Sequence, residues 1–261
     1  MSSAEAKSYH SVNFGDKNTW DDWKLVPSNR PVIDPPTQKT NYIDIPGADG
    51  SLDISTALTG YPVYNDREGS IEFIVMNDYI EYRWDKVYSE IMTYLHGQKM
   101  HMILDDDPNY YYDGRFSVEK WSTGPNYSTI SIKYRVDPYK WSITTSTDPN
   151  WLWYPFNFNE DYISSGIFNN ITMQGPNTWV ERSFTSLTAG QAPVCPIFTV
   201  NSTDGNGCDV KLVNSTIGST ITSHLPHGTS FQHNLMIFGG DVTVGFKGNG
   251  TVSAEFRKGM F

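Results

Sequence analysis

The amino-acid sequence predicts a mainly β protein in two units: a β unit with one α-helix and an extended arm, then a β-sandwich of short strands alone. Three observations carry this. The 261 residues include 21 glycines, 15 prolines and 14% aromatic residues, which suits strands separated by many turns better than a helical bundle. A convincing helical period of apolar residues occurs in one segment. Elsewhere, apolar residues alternate with polar ones or gather in short β-branched and aromatic runs.

In chain order, a short strand is expected around residues 11–14. The stretch 19–60 then has no helical period. Pro27, Pro31, Pro35, Pro36 and Pro46 remove backbone donors and favour extended chain. Within it Pro46–Gly50 (PGADG) reads as a turn, with Gly47 and Gly50 free to adopt positive φ. Chain this extended has little to pack on locally, so it is expected to lie against its own sheet or against another subunit. Residues 70–76 (SIEFIVM) read as a buried strand.

The helix follows. Asp78 caps it and Glu81 completes a capping-box pattern. Trp84, Val87, Tyr88, Ile91, Met92 and Leu95 share one face, and Gly97 supplies the stop. Residues 99–104 and 115–121 are strand-like and flank LDDDPNYYYDG, a hairpin with a substantial tip. Residues 128–136 (STISIKYRV) alternate as a half-buried strand does, and Asp137-Pro138 ends the run.

Both signals fade over 142–150 (SITTSTDPN), which reads as a connection. The expected domains are therefore 1–141 and 148–261, joined by a linker at 142–147. In the second, strands are expected at 178–187, 194–200, 209–213, 241–247 and 251–257, with a compact hairpin tip at 246–251 (FKGNGT). Short strands uninterrupted by a helix suggest a jelly-roll sandwich.

Bulk properties narrow the function. The formal net charge is −10, with 21 acidic and 14 basic residues through Trp141, net −7, and 8 and 5 beyond it, net −3. Tight binding of a polyanion needs concentrated Lys and Arg, which this chain lacks. An acidic surface does suit a conduit to which DNA must not stick, and it also simply keeps a protein soluble. No run of about eighteen apolar residues indicates a membrane span. The opening MSSAEAKSYH has no basic region followed by an apolar core, so no secretory signal is expected. Two cysteines, Cys195 and Cys208, could meet across a hairpin, but two alone form no disulfide framework and no metal motif, and an unbridged pair is the favoured reading.

Asp105, Asp106 and Asp107, with Asp113 nearby, could offer oxygen ligands to calcium, but their spacing matches no EF-hand loop; a solvated tip is the favoured reading. Tyr110, Tyr111 and Tyr112 admit two readings, partner surface or core. Trp151, Trp153, Tyr154, Phe156 and Phe158 form the densest aromatic cluster. Spacing of two within Trp151/Trp153 and Phe156/Phe158 favours one inward strand face; a glycan or partner surface at Trp151 and Trp153 is the alternative. His10, His96, His101, His224, His227 and His233 include no HExxH pattern. The nucleophile-elbow, Walker A and dinucleotide-binding patterns are absent, and no carboxylate pair stands out. No enzyme, cofactor or metal is expected. Asn126, Asn170, Asn201, Asn214 and Asn249 open Asn-x-Ser/Thr triplets, read as part of a Ser/Thr/Asn-rich β surface.

Several ordered motifs also carry a family resemblance. The runs WDDWKLVP at 20–27, Arg30-Pro31 and KTNYIDIPGADGSLD at 39–53, then YSEIMTYLHG at 88–97, LDDDPNYYYDG at 104–114 and DPYK at 137–140, closely resemble siphophage distal tail proteins. The resemblance spans about the first 140 residues. It implies an N-terminal β-sandwich with one α-helix, a tail-tube-like ring domain, followed by an outward, galectin-like jelly-roll β-sandwich. It also implies a hexameric ring in the virion, at the tail tip or baseplate, made in the host cytoplasm. Such a ring joins the tail tube protein to the tail-associated tip protein, in many baseplates carries receptor-binding proteins, and passes genomic DNA through its lumen without specific binding. The proline-rich arm would then complete a neighbouring subunit, with Trp20, Trp23 and Tyr42 at or near the seam. The second unit is too short for the carbohydrate-binding module that some relatives insert there. The alternative is an adhesin whose C-terminal sandwich binds host-surface saccharide by itself.

Overall fold

The computed structural model describes residues 9–76, 84–124, 127–147, 168–184, 192–215, 218–237 and 241–261. The chain divides into two compact units, Met1–Lys140 and Trp141–Phe261.

The first unit contains β1 (Val12–Phe14), β2 (Lys17–Asn18), β3 (Val26–Pro27), β4 (Tyr42–Asp44), β5 (Ser51–Asp53), β6 (Arg67–Met76), α1 (Trp84–Leu95), β7 (Lys99–Leu104), β8 (Tyr110–Thr123) and β9 (Tyr127–Val136). Seven of these strands run in the order β2-β1-β7-β8-β9-β6-β3, with antiparallel pairing throughout. The predicted apolar helix face is met: Ile91 and Leu95 are buried, and Trp84, Val87, Tyr88 and Met92 pack around them. Asp78 and Glu81, the expected capping pair, lie outside the described residues.

The strand expected as buried along its length, β6, is half-buried instead. Ile71, Phe73 and Val75 face the core, while Glu68, Ser70 and Glu72 face water, because the apolar core lies on one face of the sheet only. The hairpin tip is shorter than expected. β8 already begins at Tyr110, which leaves 105–109 as the turn. Alternation along β8 settles the tyrosines: Tyr110 and Tyr112 are buried, and Tyr111 turns outward onto His101, with ring centroids 4.2 Å apart.

The second unit contains β10 (Lys140–Thr145), β11 (Ile171–Phe184), β12 (Ile197–Ser202), β13 (Cys208–Asn214), β14 (Ser219–Leu225), β15 (Gly228–Phe231), β16 (Val242–Glu255) and β17 (Arg257–Met260). Five strands run β14-β13-β16-β12-β15, and β11 also pairs with β16. Phe198, Val210, Leu212, Val244, Phe246 and Val252 are among its core residues.

Three expectations need correction here. Residues 142–147, read as a connection, are strand through Thr145. β10 pairs with β17, and Ser146 fastens it there by donating to the Ala254 carbonyl at 2.8 Å and accepting from the Phe256 N–H at 2.9 Å. Second, the predicted hairpin at 246–251 does not exist. β16 runs straight through Gly248-Asn249-Gly250, pairing first with β13 and then with β12. The glycines serve close approach rather than a turn: a Cβ on Gly250 would stand 2.1 Å from the Asn201 carbonyl oxygen. Third, β14 and β15 were unforeseen, because STITSHL and GTSF are polar enough to read as loop. The strand expected at 178–187 begins earlier, at Ile171, and the described part ends at Phe184. The strand expected at 194–200 begins at Ile197; Val194 makes only an isolated bridge to Ile237.

Candidate functional site

The proline-rich stretch has two fates. Its first part belongs to the unit's own core. Trp23 is 2% exposed, with its ring edge-on to Tyr94 at 5.7 Å, and Leu25 and Ile33 are buried beside it. β3 adds to the edge of the sheet, Val26 opposite Ile74 and Pro27 opposite Phe73, where a proline costs no ladder hydrogen bond. Trp20 is half-buried, stacked on Tyr9 at 4.0 Å, and the Lys24 ammonium lies 5.3 Å from its ring.

Its second part packs on nothing. Every residue from 37 to 53 is exposed. Gln38 bridges Tyr64, the Lys39 N–H donates to Val63 and the Asn65 N–H to Thr37, each at 2.8 Å; then β4 pairs with β5. The result is a two-stranded ribbon of about ten residues a side, so at most ~33 Å long. Ile43 stands opposite Leu52 on one face, while Tyr42 opposite Asp53 and Asp44 opposite Ser51 occupy the other. Tyr42, Ile43, Ile45, Leu52 and Leu58 are all open to water, from 47% at Ile43 to 101% at Leu58. An isolated two-stranded ribbon is marginal in water, and an exposed apolar one is rare in a finished assembly.

The ribbon's root is fixed by charge. Arg67 is buried; its Nε donates to the Pro138 carbonyl at 2.9 Å and its Nη1 to the Asp34 carbonyl at 3.3 Å, with the Tyr112 ring 5.6 Å away. Burial pushes the guanidinium pKa down from its ordinary value. The acidic tip holds the neighbouring chain. Asp106 meets His10 Nδ1 and Arg30 Nε, each at 2.9 Å; Asp107 meets Lys140 at 2.6 Å; Asp113 meets Lys99 at 2.8 Å; and Ser11 donates to Asp105. Burial raises the Asp106 pKa, but the bonds from His10 and Arg30 outweigh it, and the net shift is downward. These carboxylates are cross-links between segments, which solvated-tip reasoning missed; only folding brings Arg30 and Lys140 to them.

Among the described residues no three His, Cys, Asp or Glu side chains converge as a metal site. His224, His227 and His233 are not brought together as ligands. The Ser202 N–H donates to His227 at 3.2 Å, and His233 packs against Phe231 at 4.8 Å. Both cysteines are free, and burial pushes the Cys208 thiol up to about 12. Among the described residues no helix is long and apolar enough to cross a membrane. Trp151 and Trp153 lie outside the described residues.

His224 carries one testable consequence. Its Nδ1 lies 2.9 Å from Asp209 and its Nε2 2.8 Å from the Asn206 carbonyl, so both nitrogens face acceptors. The Asp209 bond, assisted by that carbonyl, raises its pKa above 6.5. The imidazolium therefore stabilises the fold fully below the unfolded-state pKa, and that contribution is lost as pH rises through the higher folded value. The melting temperature should decline as pH rises above the ordinary histidine value of about 6.5, and His224→Gln should remove that part of the slope. An identical slope in both proteins would show that His224 does not cause it.

No family model matches this chain, and no curated protein sequence does. What matches is the fold. A helix-bearing β unit followed by a unit whose described residues form strands alone, mainly β and of β-sandwich type, matches the fold of a bacteriophage hub protein. The solved structure in question is the SPP1 Dit (gp 19.1) protein, described as a paradigm of the hub adsorption apparatus in phages infecting Gram-positive bacteria. The TM-score is 0.56, over 96% of this chain and 99% of that one, at 12% sequence identity. At that identity the likeness is one of fold, and it agrees with the family resemblance carried by Trp20–Asp53 and the motifs after it.

Proposed function

We propose that this chain is a structural component of a phage tail: a hub that assembles as a hexameric ring at the distal end. The ring joins the tail tube to the tail-associated tip protein and to receptor-binding proteins, and DNA passes through its lumen. The single observation that carries the reading is the ribbon from Gln38 to Tyr64. It is ordered by its own backbone bonds, touches its own copy only near its base, where Tyr64 meets Tyr139 edge-on at 6.2 Å, and exposes a row of aliphatic side chains beyond, so a neighbouring subunit is its natural partner. The net charge of −10 supports a lumen that does not retain DNA. Tyr42 is the seam residue this reading retains from the sequence, with Trp20 at the base. Trp23, spent on the core of its own unit, acts there only by fixing where the ribbon starts.

Light scattering and negative-stain imaging of the purified protein test the reading. A mass six times that of the chain, with annular particles, is the expected result. Replacing residues 39–62 by a short Gly-Ser linker should reduce the mass to that of one chain and leave the melting temperature of the unit unchanged. Retention of the full assembly without the ribbon would overturn the role given to it.

A further inference from the structure

The first unit leaves a second apolar surface in the open. Along β8 the inward row Phe116, Val118 would place Trp121 on the solvent face by simple alternation. A bulge between Val118 and Lys120 shifts the register, so that Trp121 stands opposite Ile130 on the core side. There it extends the core beyond its covered part. The Trp121 ring lies 4.7 Å from Tyr88 and 6.5 Å from Trp84, and these two are 6.3 Å apart. Trp121 remains 43% exposed, and Tyr127 at the start of β9 is 51% exposed. The buried Trp84 Nε1–H has no acceptor among the described residues.

The two apolar surfaces sit at opposite ends of one sheet. The ribbon's root joins β6 at Arg67, opposite Val136. Trp121 aligns through Ile130 with Phe73, and Tyr127 aligns with Met76, six and nine residues further along β6. At about 3.3 Å per residue this is roughly 20–30 Å. The ribbon is exposed along both strands, so it does not fold back over the aromatic rings of its own copy.

We propose that the ribbon of one copy docks its Ile43–Leu52 face on the Trp84–Tyr88–Trp121 surface of the next copy. This rests on the ring reading above and deepens it. The contact joins two different surfaces, so it is head-to-tail, the kind that closes into rings. Aromatic side chains bury 150–250 Å² each; with Trp121 43% exposed and Trp84 and Tyr88 more than half covered, the three offer on the order of 200 Å², and the aliphatic face of the ribbon is of similar size. A stable interface buries about 800 Å² per partner. The ribbon contact is thus one part of a seam, held by its repetition round a closed assembly.

The test places the photocrosslinker p-benzoylphenylalanine at position 43 of the full chain and irradiates the assembled protein. Cross-linked dimers whose adducts map to 84–95 or 119–128 of the second chain are the expected result. Adducts that map elsewhere on the neighbour overturn the docking site and leave the ring standing. A protein that stays monomeric and gives no intermolecular adducts overturns both. Independently, Trp121→Ala should raise by at least tenfold the protein concentration at which the assembly dissociates. An assembly unmoved by that variant, with its melting temperature retained, counts against the site; if the variant does not fold, the adduct map decides alone.

Discussion

Trp23→Ala is expected to unfold the first unit or bring it close to unfolding, whereas Ile43→Ala on the same proline-rich segment is expected to leave the isolated chain unchanged. Trp23 is 2% exposed and packs with Phe14, Leu25 and Phe73 in one core, its ring meeting Tyr94 edge-on. Truncating a buried Trp or Phe costs about 3–5 kcal/mol through lost transfer energy and the cavity left behind. That is a large share of the roughly 5–15 kcal/mol available to a domain. The Trp23 Nε1–H has no acceptor among the described residues, so removing it returns part of the loss, about 1 kcal/mol. Ile43 buries nothing on its own copy, and such surface changes stay within about 0.5 kcal/mol. Urea titrations followed by circular dichroism, at protein concentrations below any assembly, check both. A Trp23→Ala midpoint equal to that of the parent would remove Trp23 from the core and return it to the seam.

Gly250→Ala should damage the second unit as severely. Gly250 lies within β16 at φ +117, where it pairs with Ser202, and its backbone passes so close to β12 that an added Cβ would overlap the Asn201 carbonyl at 2.1 Å. The Cβ would be fixed to one strand of the backbone ladder and the carbonyl belongs to the other, so neither yields without breaking strand pairing. The positive φ by itself costs a residue with a Cβ about 1–2 kcal/mol, and the clash adds to it, for a total loss of at least about 3 kcal/mol. Gly218→Ala isolates the first part, since its φ is +67 and its Cβ would meet nothing within 4 Å. The expected result is a small drop in melting temperature for Gly218→Ala and loss of the cooperative transition of the second unit for Gly250→Ala. Equal effects at the two positions would mean that the close approach to β12 carries no energy.

Both variants touch places where local reading and fold disagree. The helix face was legible because six apolar residues between Trp84 and Leu95 recur at helical spacing and only one surface can bury them. The β9 strand was legible for the same reason at a period of two. Gly248-Asn249-Gly250 misled because two glycines around an asparagine are good turn residues, and nothing nearby says that two neighbouring strands need the missing side chains. β10 was illegible because Ser142–Thr145 is stabilised by β17, over a hundred residues away. The bulge that turns Trp121 inward has no marker in EKWST, since it is defined only by the strand opposite.

Prolines and the Pro46–Gly50 turn determined by themselves that residues 25–53 would be largely extended, for they act on the backbone of their own segment; the proline-free ends of the stretch, 19–24 and 54–60, coil into turns instead. Whether each part of that segment would meet its own sheet or stay open was decided only in three dimensions. Trp23 and Tyr42 are both aromatic residues in non-periodic chain, and no local property separates them. β6 accepts β3 along its edge while the ribbon strands β4 and β5 pair only with each other, so one aromatic residue lies in the core and the other in water. Extension is a property of the chain, but burial belongs to whatever surface the fold brings alongside.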